Sequence, residues 1–255
     1  MNPILTLRQA TVRRGGRPVL KAADLAVRPG ELVGVLGANG AGKTTLLRAA
    51  MGLARLESGS AELGARDVRG LSERERAGYA AYLPQDRRVG WNMSAWRVAS
   101  LGAPFAPAAV ARTRALAALR RVGLGGLEDR GVLEMSGGER ARVLLARLLV
   151  VDAPILVADE PIAGLDPDAQ LLALDLFRDA ADHGAAVLLT LHDLALAAQF
   201  CDRVVVLSEG VVVADGPSTS ALRPDILASA FNLEGRLETS GASPILMVRR
   251  RRPQP

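Results

Sequence analysis

The sequence predicts an α/β fold whose core is interrupted by an inserted helical lobe, and three observations predict it. An apolar run, Leu32–Leu36, enters a glycine-rich loop that good helix formers follow at once, so this part of the chain reads strand, loop, helix. A second apolar run, Ile155–Ala158, is typical of a buried strand and ends in adjacent carboxylates. Between them, Ala108–Val122 has helical spacing with an arginine face. These patterns indicate one α/β domain with helices inserted between its strands.

Strands and helices alternate along most of the chain. Period-2 or continuous apolar runs predict strands at Ile4–Leu7, Asp24–Val27, Leu32–Leu36, Tyr79–Leu83, Ile155–Ala158, Ala186–Leu191, Arg203–Leu207 and Val211–Ala214. Helices are predicted after Lys43, at Ala108–Val122, after Ser136, at Pro167–His183 and in a short stretch ending at Cys201. Glu209-Gly210 between the last two strands is a hairpin signal, which predicts a mixed sheet with an antiparallel segment. We expect the core at 1–85 and 131–248, the lobe at 86–130, and a solvated basic tail at 249–255.

Composition favours an ordinary globular protein. Apolar residues make up 49% and charged residues 23%, and the net charge of +5 fits generic solvation. Aromatic residues are only 3%, which disfavours base stacking, so no nucleic-acid partner is expected. The single cysteine, Cys201, excludes an intramolecular disulfide and is predicted to be a small buried side chain. The start of the chain has no leader pattern, and no run approaches the roughly 18 apolar residues of a spanning helix. We therefore expect a cytoplasmic protein that reaches a membrane through a partner.

The loop after Leu32–Leu36 reads GANGAGKTT and matches G-x-x-x-x-G-K-[ST]. Glycines let successive backbone N–H groups point at phosphate oxygens, and the following helix adds the positive end of its dipole. Lys43 would place a charge on the outer phosphates, and Thr44 would offer a hydroxyl to Mg²⁺. The alternative, a glycine turn that only caps a helix, is disfavoured by the full match in this context. A P-loop NTPase core is predicted, with nucleotide-binding residues Gly37, Ala38, Asn39, Gly40, Ala41, Gly42, Lys43, Thr44 and Thr45.

The segment ILVADEP places Asp159 and Glu160 at the end of an apolar strand. Asp159 would hold the metal through water, and Glu160 would orient or deprotonate an attacking water. The alternative is a helix N-cap, since Pro161 follows, but the phosphate loop upstream favours catalysis.

The segment MSGGER permits two readings that can hold together. Ser136 and Glu139 form an S-x-x-E capping box ahead of a helix. A capping box does not explain Gly137 and Gly138, because glycine in a first turn is unfavourable. Backbone that must approach a phosphate does explain them.

The order of these motifs resembles the ATP-binding subunit of ABC transporters, over nearly the whole chain. The order runs phosphate loop, Gln85, SGGE, DE, Gly164-Leu165-Asp166, His192. The resemblance implies ATP and Mg²⁺ as cofactors and two copies that meet head to tail, with ATP between one phosphate loop and the other copy's SGGE helix. It places Ser136, Gly137, Gly138 and Glu139 at the nucleotide across the dimer. It further implies that Gln85 contacts Mg²⁺ and the water and reports to a membrane partner, that Asp166 links the two sites, and that His192 steadies the γ-phosphate beside Glu160.

The sequence departs from this pattern at a few positions. Members of the family usually stack an aromatic residue on adenine near the N-terminus, and Arg14 stands at the matching position here. A guanidinium also stacks on a base, so Arg14 is a candidate nucleotide contact. Met135, Glu139 and Ile162 replace the commoner Leu, Gln and Thr.

The segments YLPQD and RRVGWNMSAWRVASLG are similar to the branch of importers for iron–siderophore, haem and cobalamin. This similarity implies a homodimer on the cytoplasmic face of the membrane, bound to permease subunits and served indirectly by a substrate-binding protein. The lobe is the expected docking surface, and Trp91 and Trp96 are candidates for interface residues or for lobe core. The alternative is a soluble ABC ATPase acting on nucleic acid, the ribosome or cofactor assembly. One ATPase unit without a heptad array favours transport.

Overall fold

A computed structural model describes residues 2–239, 241 and 243–251. Its largest element is a six-stranded sheet in the order β10-β9-β3-β8-β7-β6. The strands are β3 (Leu32–Leu36), β6 (Ala80–Leu83), β7 (Ile155–Asp159), β8 (Ala186–Thr190), β9 (Arg203–Ser208) and β10 (Val211–Gly216). All pairs are parallel except β9–β10, which form the hairpin that the sequence predicts. The prediction of a mixed sheet with an antiparallel segment is confirmed.

A second sheet is antiparallel, in the order β2-β1-β4-β5, and a separate hairpin pairs β11 with β12. The strands are β1 (Leu5–Arg14), β2 (Arg17–Val27), β4 (Ser58–Leu63), β5 (Arg66–Asp67), β11 (Leu233–Glu238) and β12 (Ile245–Arg250). The β1–β2 turn consists of Gly15 and Gly16, both with positive φ, as a two-residue hairpin turn of the primed type requires.

Helices fill the connections between the strands. They are α1 (Lys43–Ala50), α2 (Glu73–Tyr79), α3 (Ala95–Ser100), α4 (Ala108–Arg121), α5 (Gly137–Val150), α6 (Pro167–Asp182), α7 (Leu194–Phe200), α8 (Ser218–Ala221) and α9 (Pro224–Phe231), with short 3₁₀ turns at Val68–Gly70 and Val132–Glu134. Helices α3 and α4 pack against each other and against α5, so the inserted segment rests on the helix that follows SGGE. Among the residues described, no helix is both long and apolar enough to cross a bilayer.

Two apolar clusters lie on the opposite faces of the six-stranded sheet. Alternate residues of β3 divide between them, because Leu32 and Leu36 join the cluster with α3–α7, while Val33 and Val35 join the cluster with α1 and the antiparallel sheet. Every residue of β3, β7 and β8 is buried, as expected for central parallel strands covered on both faces. The carboxyl ends of β3, β6, β7 and β8 therefore meet at one edge of the sheet.

The first strands are longer than the sequence predicts. The predictions Ile4–Leu7 and Asp24–Val27 capture only parts of β1 and β2, because bulges break the alternation. Residues Gln9 and Ala22 have positive φ, and the buried positions change parity on either side of them.

Two further predictions need correction. Tyr79 ends helix α2 and does not begin strand β6. The first two residues of the predicted solvated tail, Arg249 and Arg250, are exposed but belong to β12, and Arg249 pairs with Glu234. The end of the predicted tail, 252–255, lies outside the described residues.

Candidate nucleotide-binding site

A cleft of about 520 Å³ opens at the carboxyl edge of the parallel strands. It gathers residues from five separate segments of the chain: Arg14, Val19, Asn39, Gly40, Ala41, Gly42, Lys43, Thr44, Thr45, Gln85, Glu160 and His192. Most residues that the motifs single out for one copy of the site thus share one cavity. Gly37, Ala38 and Asp159 are not part of this lining: Ala38 is exposed, Gly37 is buried, and Asp159 is only 1% exposed.

The phosphate loop has a backbone that only glycine fits at two positions. At Gly37, with φ 154°, a Cβ atom would lie 2.3 Å from the backbone oxygen of Leu207. At Gly42, with φ 106°, it would lie 2.6 Å from the backbone oxygen of Val19. Helix α1 begins directly after Gly42, and no side chain among the described residues caps it. Its first N–H groups are therefore available to an anion.

Lys43 is held by the loop from which it extends. Its Nζ donates to the backbone oxygens of Gly37 at 2.8 Å and Ala38 at 3.3 Å, and the residue is 6% exposed. Burial lowers the pKa of Lys43, and the nearby charges of Glu160 and Asp159 oppose that shift. The amine therefore lies within electrostatic reach of both carboxylates and of the loop that would hold phosphate.

Asp159 and Glu160 are fixed through the next strand along the sheet. Asp159 pairs in register with Thr190 of β8, and the Thr190 hydroxyl donates to Asp159 Oδ1 at 2.6 Å. The same hydroxyl accepts from the Glu160 N–H at 2.7 Å. Thr190 is fully buried, so one hydroxyl holds both acidic residues of the motif.

Glu160 and His192 form a close pair at the surface of the cleft. His192 Nε2 lies 2.5 Å from Glu160 Oε1. The Glu160 side chain is 15% exposed and that of His192 44% exposed. Glu160 has φ 52°, in the left-handed region that a residue other than glycine rarely adopts. Such backbone, with a carboxylate partly open to solvent beside an imidazole, is suited to aligning a water for proton transfer.

The residues around Asp159 fit a divalent cation. Asp159 Oδ2 is buried and has no hydrogen-bond partner among the described residues. A buried carboxylate oxygen without a partner is unfavourable, and a hard cation with oxygen ligands satisfies it. The Thr44 hydroxyl and the Gln85 amide oxygen line the cleft and are further oxygen atoms of the kind that Mg²⁺ prefers.

The SGGE segment lies away from this cleft, at the start of α5. Both halves of the capping box form: Ser136 Oγ accepts from the Glu139 N–H at 3.2 Å, and Glu139 Oε2 accepts from the Ser136 N–H at 2.7 Å. Hydrogen bonds to its carboxylate from the Ser136 backbone N–H and side chain lower the pKa of Glu139. A Cβ atom on Gly137 or Gly138 would meet no described atom within 4 Å, so packing within this chain does not require glycine at either position.

Asp166 has a structural partner in this chain. Its carboxylate accepts from the Ala169 N–H at 2.9 Å and caps helix α6, whose first residue is Pro167. The residue is exposed, so it remains accessible from outside the chain. Ile162, a departure noted in the sequence, is buried in the core.

Sequence reasoning missed two residues of the site. Val19 lines the cleft beside Arg14, because the β1–β2 turn brings the start of β2 back over the phosphate loop. The sequence predicts Thr190 only as part of the strand Ala186–Leu191, and no local pattern marks it as a site residue. The pairing of β7 with β8, which places Thr190 opposite Asp159, is its only signal.

The chain is similar to known proteins over most of its length. A sequence model of the ABC transporter family matches residues 20–163. The chain is 38% identical over 256 residues to a hemin import ATP-binding protein of Rhodopseudomonas palustris (strain HaA2), covering 96% of this chain and 98% of the relative. It is 41% identical to the hemin import ATP-binding protein of Pseudomonas fluorescens, covering 91% and 93%. A cobalamin import ATP-binding protein of Halobacterium salinarum is 38% identical over 93% of this chain and 61% of the relative.

Solved structures agree on the fold. The structure of an ATP-binding subunit of an ABC transporter superposes with a TM-score of 0.76 at 27% identity, covering 84% of this chain and 90% of the other. A dimeric ATP-binding cassette in a post-hydrolysis state, bound to ADP and Pi, gives 0.77 at 24% identity, covering 84% and 98%.

Proposed function

Because the chain belongs to the ABC transporter family, whose members hydrolyse ATP, we propose that it powers an importer. Two copies meet head to tail, and hydrolysis at their interface drives uptake of a chelated metal or cofactor (iron–siderophore, haem or cobalamin) through a membrane permease. The observation that carries the ATPase is the single cleft shared by the phosphate loop, Gln85, Glu160 and His192. The import of hemin and of cobalamin by similar proteins supports the substrate class.

The residues of the cleft divide the work of hydrolysis. The N–H groups of the phosphate loop and of the first turn of α1 cradle the phosphates, and Lys43 exchanges its two carbonyl partners for phosphate oxygens. Asp159, Thr44 and Gln85 would hold Mg²⁺, which neutralises the charge that develops on the phosphates. Glu160 orients the attacking water and accepts its proton, and His192 holds the Glu160 carboxylate and reaches the γ-phosphate. Arg14 and Val19 offer a guanidinium and an apolar side chain to the adenine.

The site is completed by a second copy. The cleft of a chain is not lined by its own SGGE segment, Ser136–Glu139. A Cβ atom on Gly137 or Gly138 would meet no neighbouring atom among the described residues. A capped helix start with bare glycines suits close approach to the γ-phosphate bound by the other copy. Asp166, exposed at the start of α6, then communicates between the two sites.

The shared site predicts how the activity depends on protein concentration. ATPase activity per subunit rises with protein concentration as dimers form, and Gly137→Val lowers the activity without lowering ATP affinity. A rate per subunit that does not change with concentration in monomeric samples would contradict the shared site.

The proposed permease surface is a groove of about 350 Å³ between the core and the lobe, 86–130. Strand β6, the loop after α3 and the end of α5 line it, and Leu101 and Phe105 are 54% and 62% exposed there. Arg147 lines the same groove and forms no ion pair within the described part of the chain, whereas Arg114 and Asp152 of the same lining pair with each other at 3.5 Å. Burial lowers the pKa of Arg147. These features suit an apolar permease segment that carries a carboxylate, and binding to such a segment would keep the subunit at the cytoplasmic face of the membrane.

The two tryptophans of the lobe differ in surroundings. Trp96 packs on the core with the guanidinium groups of Arg97 and Arg112 over its ring, at 5.4 and 5.0 Å, so it stabilises the lobe. Trp91 is 77% exposed and remains available to a partner.

The test is a pull-down from solubilised membranes with Glu160→Gln and ATP, which traps the closed dimer, followed by mass spectrometry. We expect a polytopic permease to co-purify, and its substrate-binding protein then narrows the substrate. Arg147→Gln in the same background weakens recovery of the permease, whereas Arg120→Gln, on the exposed part of α4, does not. Recovery of ribosomes, nucleic acid or soluble assembly factors in place of a permease would overturn the importer and leave the ATPase site intact.

A further inference from the structure

The connection that follows Gln85 is bonded directly to the backbone of Glu160. We propose that Arg87 is a positioning residue for hydrolysis: it fixes the peptide groups around Glu160 and ties their placement to the Gln85 segment. This inference rests on the proposed ATPase, in which Glu160 aligns the attacking water.

The contacts of Arg87 converge on one turn of the chain. Its Nη2 donates to the backbone oxygen of Glu160, and its Nη1 donates to the backbone oxygen of Ala163 at 2.8 Å. The Ala163 N–H donates to the same Glu160 oxygen at 3.2 Å, so the guanidinium spans both ends of the turn from 160 to 163. Two donors in the fixed geometry of a guanidinium hold two carbonyl groups at a set separation.

The turn requires such support because Glu160 has left-handed backbone, with φ 52°. A non-glycine residue persists there only when its surroundings hold it. Thr190 holds the N–H side of Glu160 and Arg87 holds its carbonyl side, so side chains from two other segments fix both peptide groups. The direction of the Glu160 carboxylate follows from that backbone.

Arg87 reaches this turn from the segment that also carries Gln85. It lies two residues after Gln85, in the irregular connection between β6 and α3 that leads into the lobe. Arg87 is half-buried, and its charge lies close enough to Glu160 for that carboxylate to counter the fall in its pKa caused by burial. The next residue, Arg88, is 91% exposed and pairs only with Asp86 among the described residues. A displacement of this connection would therefore reach Glu160 through Arg87 and not through Arg88.

The test compares Arg87→Ala and Arg87→Lys with Arg88→Ala as the matched control, each in the full chain. We measure melting temperature, the dissociation constant for ATP, kcat and KM, and the persistence of the ATP-bound dimer in size exclusion. Arg87→Ala should lower kcat roughly tenfold to hundredfold, the cost typical of a small misplacement, with KM and ATP affinity unchanged. Its ATP-bound dimer should persist, as we expect of Glu160→Gln. Arg87→Lys, which keeps one donor group, should fall between Arg87→Ala and the wild type, and Arg88→Ala should match the wild type.

Several results would overturn the inference. One is a kcat for Arg87→Ala equal to that of Arg88→Ala. Another is a parallel loss of melting temperature, ATP affinity and kcat in both Arg87 variants, which would make Arg87 a residue of stability only. A wild-type chain that hydrolyses no ATP even with its permease would instead refute the proposed function itself, and this inference with it.

Discussion

Thr190 joins the two acidic residues of the site, so replacing its hydroxyl is the sharpest test of the geometry. Thr190→Val keeps the side-chain shape and removes the donor to Asp159 and the acceptor for the Glu160 N–H. Asp159 Oδ2 already has no partner among the described residues, so the substitution leaves its carboxylate with neither oxygen bonded.

The expected loss of stability can be worked from these two bonds. A hydrogen bond to a charged group contributes about 1.5–3 kcal/mol, and an unsatisfied N–H costs about 1–3 kcal/mol. Burial of the added methyl group returns about 1 kcal/mol, so the free energy of unfolding should fall by about 1.5–5 kcal/mol. For a chain of this size, at about 2–4 °C per kcal/mol, that corresponds to a fall in Tm of about 3–20 °C.

The assay is thermal unfolding followed by circular dichroism, with Thr190→Ser as the control. Serine keeps both hydrogen bonds and loses one methyl group, which should cost about 1 kcal/mol. We expect Thr190→Val to melt well below Thr190→Ser and to lose most of its kcat, because Glu160 is released on its N–H side. Equal melting temperatures for the two variants would refute the network as described.

Four further outcomes are expected. Gly37→Ala should lose ATP binding, because its methyl group would overlap a backbone carbonyl, whereas Gly137→Ala should bind ATP and melt at or above the wild-type temperature while hydrolysing more slowly; a shared fate for both variants in melting and filter-binding assays would contradict this. Hydrogen bonds from its capping serine hold the pKa of Glu75 at about 2, below its ordinary 4.5, so this contribution to stability is present above pH 4.5 and is lost as pH falls toward 2. The melting temperature of the wild type should therefore fall more steeply than that of Glu75→Gln as the pH is lowered through that window. Burial raises the pKa of Cys201 to about 12, so a thiol reagent at pH 8 should label it only on unfolding; rapid labelling of the native chain would show that the site opens. Arg14→Ala should weaken ATP binding and Arg14→Tyr should restore or strengthen it, and unchanged affinities in both would remove Arg14 from the site.

The sequence predicts which residues form the site better than it predicts the hydrogen bonds that hold them. The phosphate loop, Gln85, Glu160 and His192 each follow a strand of the parallel sheet, so they meet at one edge once those strands are parallel. Which strands are neighbours is a property of the whole fold, and no local pattern reveals it. The bond between Thr190 and Asp159 depends on the β7–β8 register, and so could not be predicted.

Elements with little buried surface also escaped prediction. Helix α2 has no buried residue and forms around the capping box of Ser72 and Glu75, so it carries no apolar period. Strand β12 is largely exposed and pairs only with β11. In β1 the bulge at Gln9 shifts the alternation, which truncated the prediction at Leu7. Helix α2 and strand β12 bury too little surface to show an apolar pattern, and a bulge interrupts the pattern of β1.

The backbone conformation of Glu160 lowers the stability of the chain at the residue that we propose for catalysis. A left-handed conformation at a side chain with a Cβ costs the folded state on the order of 1–2 kcal/mol, which glycine would remove and asparagine would reduce. Either change would relieve this conformational cost and leave the chain without the carboxylate that we propose for aligning the water. A search for thermostable variants of this chain would therefore tend to select inactive ones at this position, and conformational cost of this kind marks residues kept for chemistry.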